Sequence, residues 1–382
     1  MRTAVTGVLL IVVGVVAILS GVLTPGAAAA LGERVWPILA FVVAITVVTE
    51  LASEAGLFRV LAEQAARWGR GRAWLLWLLV VVLAVLSTVF LSLDTTAVLL
   101  TPVVIVLARH VGLSPLPFAL TTVWLANTAS LLLPVSNLTN LLAQHRLGGP
   151  SPLDFARLTW AAALVAVIVP VVVIFVLFRR ALLVSYQPEV RAPVDDVPLL
   201  VFTAAVVALL LPALVSGLPV WIPASVAAVL LAGAFLIRRP RALAVSLVPW
   251  QLVLLAAGLF LVVEAAHALG LEALLATVAG SGEDTGALLR LAGVGAVGAN
   301  AIDNLPAYLA VEPVADSPAR LVALLIGVNA GPLVTPWASL ATLLWHQRLT
   351  AMGVEISWAR YMLLGLVVAP VVVTLATLAS VL

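Results

Sequence analysis

Long apolar stretches follow one another along almost the whole chain, and polar residues gather in the short gaps between them. A helix needs roughly 20 apolar residues to span a bilayer. The pattern therefore predicts membrane helices over residues 4–23, 36–53, 117–145, 157–178, 198–214, 221–237, 250–268, 320–347 and 361–381. Two further stretches, 73–109 and 287–316, hold paired apolar arms around the polar tips Ser92-Leu93-Asp94-Thr95-Thr96 and Asn300-Ala301-Ile302-Asp303-Asn304. They read as re-entrant hairpins, because irregular polar backbone survives at membrane depth only when buried in protein or lining a cavity.

The same polar and aromatic landmarks occur twice. A shift of 214 places Trp36 on Trp250, Glu50 on Glu264 and Gly56-Leu57 on Gly270-Leu271. A shift of 202 places Asn127 on Asn329, Pro134 on Pro336, Leu138 on Leu340 and Arg146-Leu147 on Arg348-Leu349. Asp94 can be set against Asp303 between these blocks. Matches of Trp, Glu, Asn, Pro and Arg in a common order predict an internal repeat, where leucine matches alone would carry nothing. The expected units are residues 1–180, lacking an opening helix, and 198–382, joined by a linker at 181–197.

Charge adds direction. All 19 basic residues are arginine. With the N-terminus inside, Arg2, Arg59, Arg67, Arg70, Arg72, Arg109, Arg179, Arg180, Arg191, Arg238, Arg239, Arg241, Arg348 and Arg360 fall on the cytoplasmic side, and only Arg34, Arg146, Arg157, Arg290 and Arg320 outside. Cytoplasmic loops carry the excess of positive charge, so the expectation is a multi-pass inner (plasma) membrane protein, N-terminus in and C-terminus out. Loop 54–72 is arginine-rich while its counterpart 270–286 is acidic, so the two units face opposite ways. The fold class is all-α and polytopic, with two inverted repeats, each holding a hairpin and a broken helix. The start, Met1-Arg2 followed by an apolar run and Ala27–Ala30, also resembles a signal peptide; a retained helix suits the topology better.

Composition then excludes much. The chain is 64% hydrophobic and only 9% charged, so lipid is its solvent. Nucleic acid is not an expected partner, since the arginines sit mainly between apolar runs. There is no cysteine, which rules out disulfides and thiolate capture of a soft metal. No phosphate-cradling motif, metal cluster or nucleophile–base pair is visible, so neither enzyme activity nor a cofactor is expected.

Four carboxylates lie within apolar runs: Glu50, Asp94, Glu264 and Asp303. A charge there costs ~3 kcal/mol even on the mildest scale, which makes each a functional candidate and a candidate for proton coupling. His267, near a helix end, reads as structural. Two segments are helices interrupted midway. One runs from Asn127-Thr128-Ala129-Ser130 through Pro134 to Ser136-Asn137-Leu138-Thr139-Asn140; the other runs from Asn329 through Gly331-Pro332 and Thr335-Pro336 to Ser339. Proline breaks the helical ladder, and opened carbonyls with half-helix ends form polar sites in lipid. Expected ion- or cargo-binding positions are Asp94, Thr95, Thr96, Asn127, Ser136, Asn137, Asp303, Asn304, Asn329, Thr335 and Ser339.

The stretch Leu93 to Pro102, the blocks Ala126–Ser130 and Val135–Asn140, and Asn304-Leu305-Pro306 resemble motifs of the ion transporter superfamily. Gly331-Pro332, Thr335-Pro336, Ser339 to Trp345 and Ile356-Ser357-Trp358 resemble its arsenite and antimonite efflux permeases, relatives of divalent anion/sodium symporters and sodium/proton antiporters. The resemblance runs from about Trp36 to the end. It implies a scaffold domain and a transport domain, and export of trivalent arsenic or antimony as the neutral hydroxide by proton antiport, in some relatives with a cytoplasmic ATPase subunit. Asp94, Asn137, Asn304 and Ser339 match its cargo positions, and a homodimer is an open arrangement. Leu93 and Asp303 stand where the family often carries asparagine. That extra carboxylate keeps sodium/proton antiport and sodium-coupled anion transport open as alternatives.

Overall fold

A computed structural model of the chain describes residues 2–187 and 194–381; Arg191 and the middle of the expected linker lie outside the described residues. In chain order the first half holds α1 (Arg2–Leu19), α2 (Pro25–Glu54), α3 (Leu57–Trp68), α4 (Ala73–Leu91), a π-helical turn Thr95–Leu100 leading into α5 (Thr101–His110), α6 (Pro115–Thr128), α7 (Leu138–Arg146) and α8 (Pro152–Leu182). The second half holds α9 (Val197–Leu214), α10 (Trp221–Arg238), α11 (Trp250–Ala268), α12 (Leu271–Ala279), α13 (Thr285–Ile302), α14 (Asn304–Val311), α15 (Pro318–Ala330), α16 (Leu340–Ala351) and α17 (Trp358–Ser380). Eight of these helices are long and apolar enough to cross a bilayer. From α2 onward the elements repeat from α11 onward in the same order.

Contacts between chain ends sort the molecule into two faces. On one, Arg239 reaches the Glu54 carbonyl, Arg238 Nε donates to both carboxylate oxygens of Asp196, Arg109 donates to the Met352 carbonyl and the Tyr186 hydroxyl donates to the Ala66 carbonyl. The neighbouring guanidinium of Arg238 holds the Asp196 carboxyl below the ordinary carboxylate range. On the other face, Trp36 packs edge-on against Trp221, and Arg34 pairs with Glu312. The second face also carries Arg146, Arg157, Arg290 and Arg320, and the first face Arg70, Arg72 and Arg348.

Both hairpins are re-entrant by this measure. The first begins beside the Arg72–Ser185 bridge and ends at Arg109, both on the arginine-rich face. The second begins and ends at one knot, where the buried Arg320 donates to the carbonyls of Gly280, Gly282 and Val314. Helices α4 and α13, though long enough to cross, are hairpin arms. Crossing falls to α1, α2, α8, α9, α10, α11 and α17, and to the broken pairs α6–α7 and α15–α16.

Three departures from the sequence reading have local causes. Helix α2 starts at Pro25 rather than Trp36, because Thr24 caps it by accepting from the Ala27 amide, Pro25 suits the first turn, and the alanine run is strongly helix-forming. The stretch 54–72 is not all loop: α3 is amphipathic and buries Phe58, Ala62 and Ala66. The acidic counterpart carries the short helix α12. Both are below the length that a search for spanning runs detects.

Small residues set the closest crossings. A Cβ on Gly258 of α11 would sit 2.8 Å from the Gly7 carbonyl of α1, so those helices meet backbone to backbone. Helix α1 packs on α11 and α10 on α2, a crossed pair in which each half's helices embrace the other's. Of the other helices, α4, α6, α8, α13, α15 and α17 pack mainly among themselves, with the hairpin tips and helix breaks between them, while α9 packs on α10 and α2.

Candidate functional site

The two broken helices end and restart at membrane depth. Helix α6 stops at Thr128 and α7 starts at Leu138, with Asn137 as its cap, extended in backbone and accepting from the Thr139 amide. Helix α15 stops at Ala330 and α16 starts at Leu340, with Ser339 in the same extended conformation. Proline interrupts both ladders, but the second break is held chiefly by Asn300 on α13. Its Oδ1 accepts from the Val334 and Thr335 amides at 3.2 and 3.0 Å, its Nδ2 donates to the Gly331 carbonyl at 2.8 Å, and its own carbonyl accepts from Thr335 Oγ1 and Trp337 Nε1. One side chain thus satisfies the amides and carbonyl that the break would leave bare in lipid.

At the hairpin tips the backbone turns on a residue with positive φ. In the second tip that residue is Asp303 (φ 93, ψ 153), and in the first it is Ser92 (φ 106, ψ 159). The structural counterpart of Asp303 is therefore Ser92, and that of Asp94 is Leu305. The expected pairing of Asp94 with Asp303 matched their chemistry but missed the turn by two residues. A non-glycine residue in this region is strained and rare. Asp303 offsets the strain by accepting from the Leu305 amide at 3.1 Å, and Ser92 by meeting Thr95 Oγ1 at 3.3 Å.

The tips and restarts converge on one cavity of about 550 Å3. Asp94, Asn137, Asp303, Asn304 and Ser339 line it, with Ser92, Thr46 and Trp337, against an apolar wall from α1, α2 and α11. Among the described residues no arginine, lysine or histidine lines it. The N-terminal ends of α7, α14 and α16, with Asn137, Asp303 and Ser339 at their cap positions, border this space and set positive dipole ends beside it; the Thr139 amide is taken by Asn137 and the Leu305 amide by Asp303. The Ser339 hydroxyl is fully buried and has no partner among the described residues.

A second cavity of about 460 Å3 adjoins the first and shares Thr46, Ser92, Asp94, Leu252 and Leu340 with it. Glu50, Thr95, Trp250, Gln251 and Arg348 line it, on the side of the arginine-rich face. Asp94 thus stands on the boundary between the two.

The other expected site residues lie off both walls. Thr96 bonds Thr88 at 2.8 Å, Ser136 donates to the Val89 carbonyl, and Thr335 is tied to Asn300. Asn127 donates to the Val123 carbonyl and to Thr342, and Asn329 is engaged by Asn137, Thr139 and Asn140. Glu264 is half-buried on α11 outside both cavities, and His267 holds the Ala310 carbonyl at 3.1 Å. Sequence reasoning missed Glu312, almost wholly buried between Arg34 and Tyr308. Its position beside Pro313 at a hairpin end made it look like loop.

A family model described as "Citrate transporter" matches residues 2–342. The "Arsenical pump membrane protein" of Escherichia coli (strain K12) is 31% identical over 396 residues, covering 96% of this chain and 91% of its own. The protein of the same name from Yersinia enterocolitica is 31% identical over 391 residues, covering 95% and 90%. Among solved structures, the YdaH transporter of Alcanivorax borkumensis superposes with a TM-score of 0.59 at 15% identity, covering 94% of this chain and 89% of that one. That last likeness is one of fold alone.

Proposed function

The chain belongs to the citrate transporter family, alongside the arsenical pump membrane proteins, and from that premise we propose that this multi-pass membrane transporter exports arsenite and antimonite from the cytoplasm by proton antiport. The observation that carries the reading is the lining of the first cavity: two carboxylates, two side-chain amides, three helix N-termini and an unpartnered hydroxyl, with no basic side chain among the described residues. Citrate and other polyanions would meet two carboxylates there and no guanidinium. A neutral trihydroxide offers both donors and acceptors, which the carboxylates, Asn137, Asn304, Ser339 and the helix amides can match by hydrogen bonding without thiols.

In this reading the arginine-rich face is cytoplasmic and the halves 1–180 and 198–382 act as inverted repeats about the cavity. Cargo enters through the second cavity past Glu50 and Arg348. Asp94, at the boundary, carries the coupling proton, and Asp303 holds the opposite tip. The loaded carboxylate releases its proton to the cytoplasm as cargo binds, and takes one from outside as cargo leaves.

The same lining favours one competing reading, sodium/proton antiport, because carboxylates without basic neighbours also suit a cation. Full-length protein in proteoliposomes with an imposed proton gradient separates the two. Arsenite movement against its gradient, with no proton release on adding sodium, is the expected result. Sodium-driven proton release without arsenite movement would replace the proposal.

A further inference from the structure

We propose that the turn between α3 and α4 is a headgroup site for an anionic phospholipid, with Arg70 and Arg72 as its phosphate ligands and Trp68 as its interfacial anchor. A cavity of about 380 Å3 lies there, lined by Trp68, Arg70, Arg72 and Leu75, and it shares no lining residue with the two cavities described above. Its chemistry is that of a headgroup boundary: two cations beside an indole and an aliphatic side chain.

The turn is built to hold those arginines still. Arg70 adopts φ 47, a conformation that side chains other than glycine avoid, and Gly71 follows at φ 74. Strain of this kind persists only where surrounding structure enforces it. Here the segment after α8 does so: the Tyr186 amide donates to the Gly71 carbonyl at 2.8 Å, the Ala73 amide donates to the Val184 carbonyl at 3.1 Å, and the Tyr186 hydroxyl donates to the Ala66 carbonyl. A Cβ on Gly71 would lie 2.8 Å from the Tyr186 carbonyl oxygen, so the two segments are in backbone contact.

Neither Arg70 nor Arg72 makes an ion pair or side-chain hydrogen bond among the described residues. Arg238 and Arg239, on the same face, are paired with Asp196 and Asp195. Around the two free guanidiniums stand exposed apolar side chains, Trp68 at 61%, Leu183 at 64% and Val184 at 44%, which water would not favour and acyl chains would cover. Arg179 and Arg180, at the end of α8, add positive charge beside the same rim. Two planar forks held two residues apart suit the bidentate grip of a phosphodiester, and basic pockets at the ends of membrane helices take anionic headgroups.

The test uses delipidated full-length protein in detergent. It is titrated with phosphatidylglycerol, with phosphatidylcholine of the same acyl chains, and with inorganic phosphate, and bound lipid is counted by native mass spectrometry. The wild type should retain phosphatidylglycerol about tenfold better than phosphatidylcholine, with little competition from inorganic phosphate. Arg70→Gln with Arg72→Gln should abolish that preference, while Arg241→Gln on the same face should keep it. Arg70→Lys with Arg72→Lys preserves the charge, loses the forks, and should fall between; it also serves if the glutamine pair does not fold. Unchanged retention in both paired variants, or an equal loss in Arg241→Gln, would overturn the site. Full displacement of lipid by millimolar inorganic phosphate would assign the pocket to the free ion and overturn the lipid.

Discussion

Asn329 of α15 donates through Nδ2 to Oδ1 of Asn140 on α7 at 2.7 Å, joining the two broken helices across the repeat boundary. The repeat shift of 202 carries this pair onto Asn127 and Thr342, which meet at 3.4 Å. One pairing thus occurs twice, in each case from the helix before one break to the helix after the other. The copies differ in strength. Asn329 also accepts from Asn137 Nδ2 at 2.9 Å and Thr139 Oγ1 at 2.8 Å, while the Oδ1 of Asn127 has no partner.

That asymmetry predicts unequal costs. Asn329→Ala strands buried groups on Asn137, Thr139 and Asn140, each loss costing about 1–3 kcal/mol. Asn127→Ala removes only a long bond to Thr342 and one to its own helix. Thermal unfolding of the purified protein in detergent should show a large drop in midpoint for Asn329→Ala and a small one for Asn127→Ala. Equal midpoints would mean that the amide network is not what joins the halves.

How much of this was legible in the sequence depends on the residue. Trp36 with Trp250 and Asn127 with Asn329 marked the repeat because such residues are scarce in apolar runs. Asp94 and Asp303 stand out for the same reason, Asn137 and Ser339 mark the helix breaks, and Asn304 rests on the family resemblance; the structure brings all five to one cavity. Polarity alone could not separate residues facing cargo from those serving the backbone: Thr96, Ser136 and Thr335 looked alike and turn to protein partners. The register of the tips was hidden because chemical identity pointed to Asp94, whereas positive φ selects Ser92. Asn300 was read only as part of a tip, since its role needs the Val334 and Thr335 amides, more than 30 positions away.

Asn300 also revises what proline does in the second break. Pro336→Ala would have closed the site if proline alone kept residues 331–339 from being helical. With Asn300 satisfying the opened backbone, Pro336→Ala should leave transport within a few-fold of wild type, whereas Asn300→Ala should abolish it at comparable membrane expression. Arsenite efflux from cells expressing each variant reads this directly, and the opposite order would refute the assignment.

Asp94→Asn keeps the shape of the tip and removes its charge. Export driven by a proton gradient should be lost, while exchange of labelled for unlabelled arsenite at equal pH should persist, because the proposed cargo contacts from Asn137, Asn304 and Ser339 remain. The proposed swap of a neutral cargo for protons moves charge, so wild-type export should also respond to an imposed potential, worth ~2.3 kcal/mol per proton per 100 mV. Wild-type export that ignores the potential would argue against proton antiport.

Packing beside the site gives a prediction independent of cargo. Gly365 of α17 lies against the second break, where an added Cβ would come within 2.0 Å of the Leu333 carbonyl oxygen and 2.6 Å of its carbon. Backbone cannot yield as a side-chain tip can, so Gly365→Ala should cost about 1–3 kcal/mol or displace the break. Gly233 of α10 has open space around it, and Gly233→Ala should be silent or slightly stabilising in the same melting assay.

Arg34 and Glu312 supply a test of the transport cycle itself. Arg34 belongs to α2, which packs on α10, and Glu312 closes the second hairpin; Tyr308 donates to the same carboxylate at 3.2 Å. The ion pair therefore bridges α2 and the second hairpin on the face away from the second cavity, and in the proposed cycle opening the first cavity toward that face breaks it. Stranding a fully buried partner costs about 3–5 kcal/mol. Arg34 keeps 25% of its side chain exposed, so a smaller effect is expected, roughly 1–2 kcal/mol or five- to thirtyfold in the balance of states. The chain has no cysteine, so Thr46→Cys on the wall of the first cavity can report accessibility through an impermeant maleimide added to either side of sealed vesicles. In the parent, labelling should come from the arginine-rich face; adding Arg34→Gln should raise labelling from the opposite face by that factor. Glu312→Gln, which keeps the Tyr308 contact in reach and removes the charge, should act in the same direction. If neither variant moves the labelling, the pair is a static brace, and the barrier to opening that face lies elsewhere in the hairpin.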